Sequence, residues 1–137
     1  MRLFSLLFCL LATLPCVAAP LELTDDRQVV RPAPWLEYLL PAEELDFAEV
    51  VEATGWRKLE GASLSLGFQE GPVWVRMALH NRSARADWRL LVEWPILDRL
   101  ELRLFDPASG SWGALLEAGD HLPLSAWSVP GRQPLFP

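Results

Sequence analysis

The sequence predicts an all-β fold: an antiparallel β-sandwich with one short capping helix. Three observations carry that expectation. From Trp56 onward, apolar and polar residues alternate with a period of two. The alternating runs are short and are separated by turn-rich stretches such as "NRSARAD" and "DPASGSW". One segment only, "LDFAEVVEA", carries a complete helix-start signature.

The first residues stand apart from this pattern. Met1-Arg2 is a basic start, residues 3–14 are an almost unbroken apolar run, and small residues surround Ala18. This reads as a secretory signal peptide over residues 1–18, cleaved after Ala18 or Ala19. The run is short against the roughly 20 residues of a membrane span. A lipid anchor on Cys16 is disfavoured by Pro15 immediately before it. Cys9 and Cys16 are the only cysteines, so the exported chain has no disulfide and no thiolate nucleophile. About 118 residues remain, enough for one core that must hold the domain unaided.

The chain carries 12 Lys and Arg against 18 Asp and Glu, and losing Arg2 takes the net charge from −6 to −7. With no basic run, nucleic acid is excluded as a partner, because its backbone demands clustered cations. No later segment is apolar enough to cross a membrane.

Residues 21–34 read as an extended arm, since Pro32 and Pro34 oppose helix. The piece "WLEYLL" is apolar and fits helix or strand. In the helix that follows, Asp46 is placed to cap the start and Glu49 to return the hydrogen bond. Leu45 and Val50 are spaced to close a staple across it, and Gly55 ends the segment. The helix is too short to anchor a bundle and is expected to lie as a lid on a sheet edge. Five strands are then expected: "SLSLGF", "VWVRMALH", "WRLLVEW" stopped by Pro95, "LDRLELRLF", and one beginning at "WGALL". "EAGDHLPLSAW" reads as a loop.

In the second strand, Val73, Val75, Met77 and Leu79 form a row suited to a core. Trp74, Arg76 and His80 lie on the other side. An indole can stack on the apolar face of a sugar while a guanidinium donates in a fixed fork. Trp74, Arg76 and His80 are therefore the candidate ligand contacts. The competing reading is an outer-sheet cation–π pair, or a tryptophan buried under the helix. Seven tryptophans leave both readings open, as core fillers or as stacking platforms.

Asn81 is expected to close a strand through its side chain, and Gly119 with Asp120 to make a tight turn. Asp98 is expected to hold the bend after Pro95 or to pair with Arg99 or Arg76. No catalytic residue is assigned. Asp98 and Glu101 are opposite in strand phase, no nucleophile elbow is present, and Glu93 with Asp120 reads as surface acid. His80 and His121, the only histidines, have no clustered third ligand, so neither a metal nor a cofactor is expected.

The order of the pieces resembles the second type of extracellular sensor domain of 7TM-DISM receptors, seven-transmembrane receptors with diverse intracellular signalling modules. "LEYLLPAEELDFAEVVEA", "SLSLGFQEGPVWVRMALHN", "DWRLLVEWPILDRLELRLFD", "GSWGALLEAGDHLPLS" and "PLFP" follow one another as in that family. The resemblance covers residues 20–137 and implies a jelly-roll-like sandwich akin to carbohydrate-binding modules. It also implies a non-catalytic sensory role in the periplasm, upstream of membrane helices and a cytoplasmic output module. A small glycan or an amphiphile is the expected class of ligand. Family members continue past the equivalent of Phe136, so the domain is expected to be incomplete at its C-terminus. The gene is then expected to be split or truncated, or the remainder to come from a separate chain or a membrane receptor partner. The alternative function is a structural docking module, or a fragment of a split receptor, that binds another exported or membrane protein.

Overall fold

The structure, a computed structural model, describes residues 19–94 and 96–137. The expected signal peptide and the expected strand stop at Pro95 lie outside the described residues. The chain divides into two compact units, one running through Ala84 and the other Arg85–Pro137. The fold is all-β, as the alternation predicts, with one α-helix and two single 3-10 turns among the described residues.

In the first unit, β1 (Leu21–Leu23) is followed by a 3-10 turn at Ala33–Trp35 and then by β2 (Glu37–Leu39). The apolar piece around Trp35 is thus part turn and part strand. Helix α1 (Phe47–Glu52) starts as its sequence predicts. The Asp46 carboxylate accepts from the Glu49 amide at 2.9 Å, and the Asp46 amide donates to Glu49 Oε2 at 2.8 Å. Two otherwise orphaned amides are satisfied reciprocally. Val50 is buried.

Strands β3 (Arg57–Lys58) and β4 (Trp74–Arg76) flank β2, both antiparallel to it. Strand β5 (Leu79–Asn81) pairs with β1 instead, and in parallel. The expected single strand through "VWVRMALH" is therefore two strands with different partners. Its alternation does not carry through the break, and the expected core row fails: Val75 is 41% exposed and Leu79 47%. The expected strand over residues 63–68 does not form either. Gly67 adopts a positive φ of 68°, the Gln69 amide side chain donates to the Leu66 carbonyl at 2.6 Å, and Phe68 is 92% exposed. Alternation gives a strand its faces, but only a neighbour supplies its ladder.

The second unit holds β6 (Leu90–Leu91), β7 (Leu100–Leu102), β8 (Phe105–Asp106), β9 (Ser111–Trp112), β10 (Leu116–Ala118) and β11 (Leu135–Phe136). A 3-10 turn occupies Leu124–Ala126. The pairs are β10 with β7, β11 with β6, and β8 with β9, all antiparallel. Ala118, Trp127 and Phe136 form a buried cluster, against which Leu90, Val92, Leu100, Leu102, Leu116 and Leu122 pack. The β7–β10 register puts Leu102 opposite Leu116 and Leu100 opposite Ala118, one apolar row toward that cluster. The alternate row places Glu101 directly opposite Glu117. Like charges there repel, and Arg99 offsets this by reaching both, at 2.8 and 2.9 Å from one nitrogen.

Candidate functional site

The best-built group of polar and aromatic side chains lies on the sheet β3–β2–β4. Its register sets Glu37 opposite both Lys58 and Arg76, and Leu39 opposite Trp74. Side chains two apart on a strand share a face, so Glu37, Leu39, Trp74 and Arg76 are on one side. Arg76 Nε donates to Glu37 Oε2 at 2.7 Å. The guanidinium carbon sits 4.2 Å from the ring centroid of Trp56, a residue the sequence reading did not single out. Trp56 is itself held, its Nε1 donating to the Ala53 carbonyl at 3.1 Å just beyond α1. The capping box thus fixes a helix whose C-cap residue, Ala53, anchors the ring over which Arg76 lies.

Each contact is modest alone. A partly exposed ion pair contributes about 0.2–1 kcal/mol, and a cation–π contact at such a site about 0.5–1 kcal/mol. Together they hold the guanidinium in one orientation, with its two terminal nitrogens free of hydrogen bonds among the described residues. Beside it, Trp74 is half-buried, and its Nε1 is buried without a hydrogen-bond partner. A buried donor left unpaired costs about 1–3 kcal/mol.

The other sequence candidates fall elsewhere. His80 is exposed on β5, opposite Glu22 in the parallel ladder, and does not join Trp74 and Arg76 in the β3–β2–β4 sheet. Asn81 ends the same strand, its Oδ1 accepting from the Ser83 amide at 3.0 Å and the Ser83 hydroxyl at 2.7 Å.

Asp98, Gly119 and Asp120 come together in the second unit. The amides of Asp120 and His121 donate to the carbonyls of Leu97 and Asp98 at 2.9 and 3.0 Å. Gly119 has φ +126°, and a Cβ there would lie 2.5 Å from the Asp98 carbonyl oxygen, so only glycine fits this close approach. Asp98 Oδ1 lies 3.7 Å from His121 Nε2, both side chains well exposed. The pairings expected for Asp98 do not form, because Arg99 serves Glu101 and Glu117 while Arg76 serves Glu37.

Among the described residues no group of three or more His, Cys, Asp or Glu stands close enough to hold a metal ion. No described helix is long and apolar enough to cross a membrane. Two carboxylates titrate below their ordinary value. The Ser109 hydroxyl lowers Asp106, helped by the Ala108 amide, and the Thr24 side chain lowers Asp26. Both acids are exposed and serve local turns.

Trp56 and Glu37 could not be read from sequence, because their proximity to Arg76 depends on which strands neighbour β2. The available signal was the alternation of "LEYLL", which gave Glu37 and Leu39 a shared face but no partner.

No characterised protein and no solved structure gives a significant match to this chain. The model of one family, 7TMR-DISM extracellular 2, matches residues 33–137, a span that begins at the first 3-10 turn and includes β2 through β11. On that match, together with its all-β architecture, the chain belongs to the 7TMR-DISM extracellular 2 family.

Proposed function

We propose that this chain is a non-catalytic, periplasmic ligand-sensing domain of a bacterial signal-transduction receptor, and that it takes a small glycan or amphiphile on the Trp56–Trp74–Arg76 face. Family membership supports the extracellular sensory role. The observation that carries the site is the unpaired buried indole donor of Trp74 next to an oriented guanidinium. If the indole edge turns toward the ligand on binding, a ligand hydroxyl that accepts from Trp74 Nε1 recovers the cost of the unmade bond. The fork of Arg76 gives the same ligand two further donor nitrogens.

Calorimetric titration with a panel of small glycans and amphiphiles tests this. Trp74→Phe keeps an aromatic ring and removes the donor. It is expected to weaken binding about tenfold, the equivalent of one hydrogen bond of about 1.4 kcal/mol, without lowering the denaturant midpoint. Arg76→Ala is expected to weaken binding comparably. Unchanged affinity in both variants, with the fold intact, would exclude this face as the site.

A second reading, docking on another exported or membrane protein, draws on the β8–β9 hairpin. Phe105 and Trp112 face each other across it with ring centroids 5.1 Å apart, and they remain 50% and 42% exposed. Leu104 beside them is 51% exposed. If no glycan or amphiphile binds the intact chain while a membrane protein does, and Phe105→Ser abolishes that association, docking replaces ligand sensing.

A further inference from the structure

The opposite face of the same sheet carries a second feature. Tyr38 pairs with Arg57 on one side and Val75 on the other, so these three share the face turned away from Glu37 and Arg76. A hollow of about 460 Å³ opens beside β3, with Tyr38, Arg57, Glu60, Ser63, Ser65 and Leu66 in its wall. Its rim is pinned at both ends. Leu59 is buried and its amide donates to the Leu36 carbonyl at 2.9 Å, while the Gln69 side chain closes on the Leu66 carbonyl at 2.6 Å.

The polar groups of this wall are unspent. Among the described residues the Arg57 guanidinium, the Tyr38 hydroxyl and the hydroxyls of Ser63 and Ser65 make no side-chain hydrogen bond or ion pair. Arg76 and Arg99, by contrast, are each committed to carboxylates. A guanidinium and three hydroxyls lining one concave space match the donor demand of an oxyanion, which accepts several hydrogen bonds and is favoured by a planar cationic fork. Glu60 is the one carboxylate in the wall.

We propose that this hollow is an oxyanion-binding site, with Arg57 as the principal contact and Tyr38, Ser63 and Ser65 as supporting donors. It goes beyond the ligand face described above and is independent of it, since the two occupy opposite sides of the sheet. The oxyanion has two chemical sources. A simple anion such as phosphate meets Arg57 and is opposed by Glu60. A zwitterion such as an α-amino acid presents its carboxylate to Arg57 and its ammonium to Glu60.

The test is a titration of the full chain followed by amide chemical shifts, with inorganic phosphate and glycine as probes and sodium chloride at matched ionic strength as reference. Saturable shifts are expected at residues 38, 57–60 and 63–66 with at least one probe. Arg57→Gln is expected to weaken that binding about tenfold or more, the loss of a charge-assisted hydrogen bond. Arg57→Lys is expected to fall between the two. Glu60→Gln separates the sources: it tightens phosphate and weakens glycine. Arg57 and Glu60 are exposed, and far-ultraviolet circular dichroism checks that the variants keep their fold. Trp74→Phe should leave these shifts unchanged, which keeps this result separate from the fate of the other face. Shifts no larger than those from sodium chloride, or equal binding by wild type and Arg57→Gln, would overturn the proposal.

Discussion

The two units of this chain hold their polar groups differently. In the unit from Arg85 onward, nine apolar side chains gather around Ala118, Trp127 and Phe136 or form that centre themselves, and Arg99 is consumed in neutralising Glu101 and Glu117. In the unit through Ala84, the buried residues Leu21, Leu23, Ala33, Leu39, Val50 and Leu59 are spread over several elements. On its β3–β2–β4 sheet Arg76 keeps free donors and Arg57 keeps all of its own, while Arg82 pairs with Glu22. Among the described residues each unit also contains one buried indole N–H without a partner, Trp127 in the second and Trp74 in the first. Trp127 sits in an apolar cluster with Ala118 and Phe136. Trp74 adjoins an arginine oriented by a carboxylate and a ring. The lesson is that an unsatisfied donor gains functional meaning from its neighbours.

Deleting core volume gives the largest expected effect. Phe136 is 2% exposed at the centre of the second unit's cluster, so Phe136→Ala should cost about 3–5 kcal/mol. Leu39 is 8% exposed in the first unit, with fewer buried neighbours to lose, and Leu39→Ala should cost about 2 kcal/mol. Urea unfolding of the two variants measures the difference. Equal losses would break the contrast between a concentrated and a dispersed core.

Next comes Gly119→Ala. The backbone there is in a region that side chains avoid, and the new Cβ would meet the Asp98 carbonyl. A loss of about 2–3 kcal/mol is expected, again from urea midpoints. Gly61, at φ +117° but with open space around it, isolates the conformational part of that cost. A smaller loss for Gly61→Ala sharpens the assignment to close approach, and an equal loss removes it.

The smallest effect is a pH response that both units share. Asp106 and Asp26 each have a carboxyl held below its ordinary value by a neighbouring hydroxyl. A depressed folded-state value contributes stability that is present above the unfolded value and lost as the pH falls through the folded one. Acidification should therefore release the Asp106–Ser109 bond only below the usual carboxylate range. Ser109→Ala should raise the Asp106 titration midpoint toward normal, read from side-chain carboxyl shifts. A midpoint unmoved by that substitution would show that the Ala108 amide, not the hydroxyl, holds the charge.

What could be read in the sequence was what is decided locally. The capping box of Asp46 and Glu49 lies within one turn, and it formed as written. Asn81 and Gly119 act through backbone a few residues away or through a conformation that glycine alone adopts, and their neighbourhoods are turns. The strands were legible as a class but not as pairs. Nothing between Trp74 and Asn81 announces that β4 joins β2 while β5 joins β1. For the same reason Trp74 and Arg76 could be named from one strand's alternation, whereas Glu37 and Trp56 required the register of three strands.

The parallel pairing of β1 with β5 bears on how the chain acquires its structure. Leu21 finds Leu79 and Leu23 finds Asn81 only after the intervening helix and three strands have been threaded between them. By contrast, β8 and β9 meet across a single turn. The entropy lost in closing a loop grows with its length, and non-local pairings set the pace of β-rich domains. The arm carrying β1 is therefore expected to be the last part of its unit to be recruited, since it has no ladder partner until the chain has been made as far as β5.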